Sequence, residues 1–99
     1  MDTISVAELA RLKDAAIIDV RESDEFQHVR AVGAVSIPMS QFVERESELP
    51  ADEMLYVICA SGARSARVVE HLTSRDYRAA NVEGGTHAWS DAGLPVEQG

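Results

Sequence analysis

Met54-Leu55-Tyr56-Val57-Ile58 runs straight into Cys59-Ala60-Ser61-Gly62-Ala63-Arg64-Ser65, and the reading of this stretch decides the fold. Five apolar residues with aromatic and β-branched members predict a strand buried on both faces. The run stops at the only cysteine of the chain, which therefore sits at a strand tip. Beyond it, Ala66 to Arg75 predicts a helix with Ala66, Val69 and Leu72 on one face. The stretch is a strand, a tight loop and a helix N-terminus.

That arrangement carries its own chemistry. Small side chains at Ala60, Ser61, Gly62 and Ala63 let the backbone curl until several N–H groups point at one spot, and Gly62 meets any demand for positive φ. The helix dipole and the charge of Arg64 add to this field, so a thiolate at Cys59 is favoured over the thiol. A lone cysteine more often serves as a small buried hydrophobe. Here the glycine-containing turn, the arginine five positions on and the helix start point to a nucleophile, with an unreactive, charge-paired cysteine as the alternative.

A chain of 99 residues predicts one domain over residues 1–99, burying roughly two-thirds of its unfolded surface. Its hydrophobic fraction of 45% suits an ordinary globular core, and no stretch reaches the length of a membrane span. The N-terminus shows no basic region followed by an apolar one, and one cysteine makes no internal disulfide; together they predict a cytoplasmic protein. A net charge of −8 argues against nucleic acid or an acidic membrane as partner. An anionic small molecule stays open, because a local nest and Arg64 outweigh distant screened charge. The acidic run from Glu44 to Glu53 reads as a solvated helix end and loop.

Taken in order, a short strand is expected at Thr3 to Ile4, and Ser5-Val6-Ala7-Glu8 has the form of a capping box for a helix reaching about Lys13. Ala15 to Ile18 predicts a buried strand ending at Asp19-Val20-Arg21. Ser23 is expected to cap a short helix reaching about Val29. Gly33-Ala34 marks a turn, Val35 to Ile37 a strand stopped by Pro38, and Ser40 a cap for a helix through Phe42 and Val43. Ala79 to Val82 reads as the last strand, followed by Gly84-Gly85, a short helix bearing Trp89, and Gly93-Leu94-Pro95 closing the fold. Strands alternating with helices predict an α/β fold with a parallel sheet and helices on both faces. Ligands of such sheets bind beyond the carboxyl ends of the strands, so Asp19 with Arg21, the Cys59 loop and Gly84-Gly85 are expected along one edge.

These markers, in this order and spacing, resemble the rhodanese homology domain of the single-domain thiosulfate sulfurtransferase type. They are Ile17 through Arg21, Glu25-Phe26, Gly33-Ala34, Ile37-Pro38, Cys59 through Ser65, Gly84-Gly85 with Trp89, and Gly93-Leu94-Pro95, covering nearly the whole chain. The resemblance implies a five-stranded parallel sheet flanked by helices and a cysteine that carries sulfur as a persulfide. It assigns Cys59 as the nucleophile, Ala60 to Arg64 as the loop around the substrate, and Ser65 as the start of the helix aimed at the sulfur. Asp19 and Arg21 match a motif that holds the strand end, and Gly84, Gly85 and Trp89 match packing and turn positions. Two departures stand out. The family's usual Gly-His-Ile-Pro is Val29-Arg30-Ala31-Val32 here, leaving Arg30 either near the entrance or simply exposed. Thr86 replaces a bulky apolar residue, which widens the pocket mouth or makes it more polar.

The implied activity is sulfur transfer from thiosulfate or a related anionic donor to cyanide, a small thiol or a sulfur-relay protein. The alternative is a persulfide carrier or binding module loaded by a partner protein. Cysteine-dependent phosphatases share the fold but space their cysteine and arginine by five residues, whereas Cys59 and Arg64 are separated by four, which suits one sulfur better than a phosphoryl group. His28, His71 and His87 lack metal-ligand spacing and read as surface or helix residues. No metal site and no cofactor fingerprint is expected.

Overall fold

The apolar pairs in the strands set the architecture. Side chains alternate across a strand, so Ile17 and Ile18, like Val57 and Ile58, serve opposite faces of the sheet. In the computed structural model, which describes residues 1–99, these faces are two separate cores. Ile18, Val57 and Cys59 join Phe42, Val68, Val69 and Leu72 on one side; Ile17, Ile58 and Val82 join Leu9 and Trp89 on the other.

The elements follow as β1 (Thr3–Ile4), α1 (Val6–Ala10), β2 (Ala16–Asp19), α2 (Ser23–His28), β3 (Val29–Ala31) and β4 (Val35–Ser36). Then come α3 (Phe42–Arg45), set between short 3-10 turns at Met39–Gln41 and Glu46–Glu48, and β5 (Leu55–Ile58), α4 (Ala63–Ser74), β6 (Ala79–Val82), α5 (Gly85–Asp91) and β7 (Val96–Gln98). The main sheet has five strands in the order β1-β6-β5-β2-β4, every pair parallel, as expected. Helices α3 and α4 cover one face, α1 and α5 the other. No helix is long and apolar enough to cross a membrane.

Several local expectations need correction. The chain has a second, antiparallel sheet, β3 with β7, so Ala79–Val82 is not the last strand. Arg30 sits in β3 opposite Glu97, at 3.7 Å. Its guanidinium lies 5.1 Å from the Phe26 ring centre and donates to the Phe26 carbonyl at the end of α2, which settles its place as structural. The capping box of α1 is present, with Ser5 Oγ accepting from the Glu8 N–H at 3.1 Å, but that helix ends at Ala10. Helix α2 is capped by Glu22 instead of Ser23, and α3 by Gln41 instead of Ser40, whose hydroxyl donates to Glu22 at 2.7 Å. In the acidic run, Glu46 is not solvated: it is buried, accepting from Arg75 Nε at 2.5 Å and lying 2.7 Å from His71 Nε2. Those two bonds tie the segment before β5 to α4.

Candidate active site

Parallel strands bring their carboxyl ends to one edge, and the register places Asp19 beside Ile58, one residue before Cys59. Asp19 and Arg21 form a buried pair there. Both carboxylate oxygens accept from the guanidinium, the shortest bond being 2.8 Å, and Arg21 also donates to the carbonyls of Val29 and Glu25. The pair ties the tip of β2 to the end of α2, the architectural role expected of it.

Cys59 leaves β5 fully buried. The chain then turns through Gly62, whose φ of +109° is a left-handed conformation that side-chain-bearing residues rarely adopt. Helix α4 starts directly after it, at Ala63, two residues before the expected Ser65. Arg64 and Ser65 therefore lie in the first turn, where N–H groups have no helical partner. Two N–H groups reach the sulfur, from Gly62 at 3.1 Å and Ser65 at 3.3 Å, and the Ser65 hydroxyl stands 3.2 Å away. Burial alone pushes the Cys59 thiol up. The Ser65 hydroxyl and the N–H groups of Ser65, Gly62 and Ser61 outweigh it, holding the thiol below its ordinary range. Ser61 and Ala63 are exposed at the rim.

The carbonyls of the same loop face the other way, and α5 receives them. Thr86 donates both its N–H, at 2.8 Å, and its hydroxyl, at 3.0 Å, to the Cys59 carbonyl, while the His87 N–H donates to that of Ala60 at 3.0 Å. This seating requires Gly85, because a Cβ there would collide with the Cys59 carbonyl oxygen and lie 2.7 Å from the Ala60 carbonyl. Thr86 is thus buried and turned toward the backbone, and its hydroxyl holds the loop.

Arg64 is not aimed freely at the sulfur. It makes a two-point ion pair with Glu25 of α2, at 2.8 and 2.9 Å. Glu25 was legible only as a sequence marker; its opposite charge to Arg64 was the available signal. A cleft of about 470 Å³ opens beside the loop, lined among others by Glu25, His28, Ala60, Thr86 and His87. Two histidines read as ordinary surface residues thus flank the site. Asn81, read only as a mid-strand residue, reaches Ser65 at 2.5 Å and the Gly62 carbonyl at 3.1 Å. Its signal was a polar side chain in an otherwise apolar buried strand.

Comparison with known proteins agrees with this geometry. Residues 5–92 match the model of the rhodanese-like domain. A sulfurtransferase of Allochromatium vinosum is 35% identical over 89 residues, covering 89% of this chain and 83% of its own. The thiosulfate sulfurtransferase GlpE of Glaesserella parasuis is 29% identical, covering 93% of this chain and 86% of its own. The crystal structure of a rhodanese-related protein from Thermoplasma volcanium superposes with a TM-score of 0.94 at 34% identity, covering all of both chains.

Proposed function

Because the chain belongs to the rhodanese-like domain family, whose curated relatives include sulfurtransferases, we propose that it moves sulfane sulfur from thiosulfate or a related anionic donor to a thiophilic acceptor, with Cys59 as the carrier. The observation that carries this reading is the cradle of N–H groups from Gly62 and Ser65 around one buried sulfur.

In the first half-reaction the Cys59 thiolate attacks the outer sulfur of thiosulfate. A sulfur–sulfur bond forms to Cys59, the donor's own sulfur–sulfur bond breaks, and sulfite leaves with the electron pair. The persulfide anion is held by the same N–H cradle, a fixed set of dipoles around a buried sulfur. In the second half-reaction an acceptor thiolate, or cyanide, attacks the outer sulfur and Cys59 is released as thiolate. Ala60 to Ala63 at the rim receive the donor's sulfonate oxygens, and Arg64 adds only the part of its positive charge that the ion pair with Glu25 leaves unbalanced. The free thiol suits a reducing compartment such as the cytoplasm.

The test is the intact mass of the protein before and after incubation with thiosulfate, with Cys59→Ser alongside. A gain of about 32 Da that a thiol reverses and the variant lacks is the expected result. No gain from thiosulfate, but a gain from a persulfidated partner protein, would make the chain a carrier. Gain in Cys59→Ser would remove Cys59 from the chemistry.

A further inference from the structure

Ser65 stands between two acceptors and has one proton to give. Its buried hydroxyl lies 2.5 Å from Asn81 Oδ1 and 3.2 Å from Cys59 Sγ. The Asn81 amide is oriented from its other end. The Gly62 carbonyl only accepts, so the NH₂ group faces it, at 3.1 Å, and Oδ1 is left facing Ser65. An amide oxygen also only accepts, so the hydroxyl donates to Asn81 and presents its lone pairs to the sulfur. That suits a thiol, whose S–H donates to the Ser65 oxygen. It does not suit a thiolate, which has no proton to give.

We propose that Asn81 is a positioning residue that competes with Cys59 Sγ for the single Ser65 hydroxyl proton and thereby sets how readily the sulfur ionises. When the thiolate forms, the hydroxyl hydrogen turns to the anion, because a charge-assisted bond is the stronger of the two. Asn81 Oδ1 then loses its donor in a buried position, and that cost opposes ionisation. Once sulfur is transferred, the negative charge moves to the outer atom of the persulfide and Sγ becomes a neutral acceptor. The hydroxyl returns to Asn81. No covalent bond beyond those of the sulfur transfer is made or broken; one rotor turns, and its turning favours the persulfide over the free thiolate. This inference rests on Cys59 being the sulfur-carrying nucleophile, but its test requires no sulfur donor and stands whether or not thiosulfate loads the protein.

The experiment is the pH dependence of Cys59 alkylation by iodoacetamide in the unaltered protein, Asn81→Leu, Ser65→Ala and the double variant. Asn81→Leu is expected to lower the thiol pKa, raising the rate below the plateau by about three- to tenfold, and Ser65→Ala to raise it. In the Ser65→Ala background, Asn81→Leu should change the rate by less than about twofold. An equal effect in both backgrounds would route it through the Gly62 carbonyl and overturn the proposal, as would a thiol pKa that Asn81→Leu leaves unchanged or raises. Should Asn81→Leu fail to fold, Asn81→Ala is read the same way. In the unaltered protein, the Asn81 side-chain amide resonances must move along the Cys59 titration. Resonances that stay fixed would also overturn it.

Discussion

Arg64 and Glu25, 39 positions apart, meet in a two-point ion pair at 2.8 and 2.9 Å that joins the helix behind Cys59 to the helix beside the cleft. The Arg64 guanidinium holds the Glu25 carboxyl down to about 2 from an ordinary 4.5. A lowered carboxyl stabilises the fold above its unfolded value and ceases to do so as the pH falls through its folded one. Glu25→Gln should therefore cost about 0.5–1 kcal/mol near neutrality, the pair being partly solvated. The difference between variant and parent should close as the pH falls from 4.5 toward 2. Urea unfolding across that range measures it, and a gap that persists at the acid end would contradict the linkage.

The same pair bears on the donor. With Glu25 neutral, the positive charge of Arg64 is no longer balanced, and an anion at the loop gains from it. Glu25→Gln should lower the KM for thiosulfate by about threefold at low ionic strength, an effect that salt erases. Arg64→Ala should raise it. A KM that ignores both changes would take Arg64 out of donor binding.

What was legible in the sequence was whatever is written locally. The strand into Cys59, the left-handed turn at Gly62 and the capping box at Ser5 are each signalled within a few residues, and the structure has all three. What escaped was contact between distant elements. Glu25 with Arg64, Glu46 with His71, and Asn81 with Ser65 join segments that no periodicity relates. Strands β3 and β7 escaped for another reason. Val29-Arg30-Ala31 and Val96-Glu97-Gln98 are three residues each, too short to display a period, and their pairing is set by tertiary contact. The start of α4 differs from the expectation because Ala63, Arg64 and Ser65 read as a continuation of the loop, whereas Gly62 lets the helix begin at once.

Asp19 supports Arg21 in a place where the carboxylate is fully buried and the guanidinium side chain almost so. Asp19→Ala would leave a guanidinium buried with only carbonyl partners, at a cost of about 3–5 kcal/mol. That is a large share of the stability of a domain this size. Chemical denaturation should show it directly, with soluble yield falling in parallel. A loss below about 1 kcal/mol would mean that Arg21 swings out to solvent, and that the pair does not hold the strand tip.

Gly85 is the point where α5 touches the loop, and its φ of +57° adds to the steric demand for glycine. Gly85→Ala must push the Cys59 and Ala60 carbonyls away, and the N–H cradle moves with them. The expected result is a loss of stability of about 2 kcal/mol or more and a fall in persulfide loading of about tenfold or more. Gly33→Ala is the control. Gly33 also has positive φ, at +89°, but nothing lies within 4 Å of an added Cβ, so strain of about 1 kcal/mol should come without loss of loading. Equal loading in the two variants would show that the sulfur site does not depend on the seating of α5.

Thr86 gives the Cys59 carbonyl two donors, and that redundancy makes a specific prediction. Thr86→Val keeps the shape and the N–H bond at 2.8 Å but removes the hydroxyl, so the carbonyl is not orphaned. The cost should be that of one ordinary hydrogen bond, about 1 kcal/mol, read as a lowered Tm that Thr86→Ser largely restores. The carbonyl points away from the sulfur, and the groups that hold the thiolate belong to Ser61, Gly62 and Ser65, so the rate of loading by thiosulfate should stay within about threefold of the parent. A fall of about tenfold with Tm unchanged would assign the Thr86 hydroxyl to the chemistry itself.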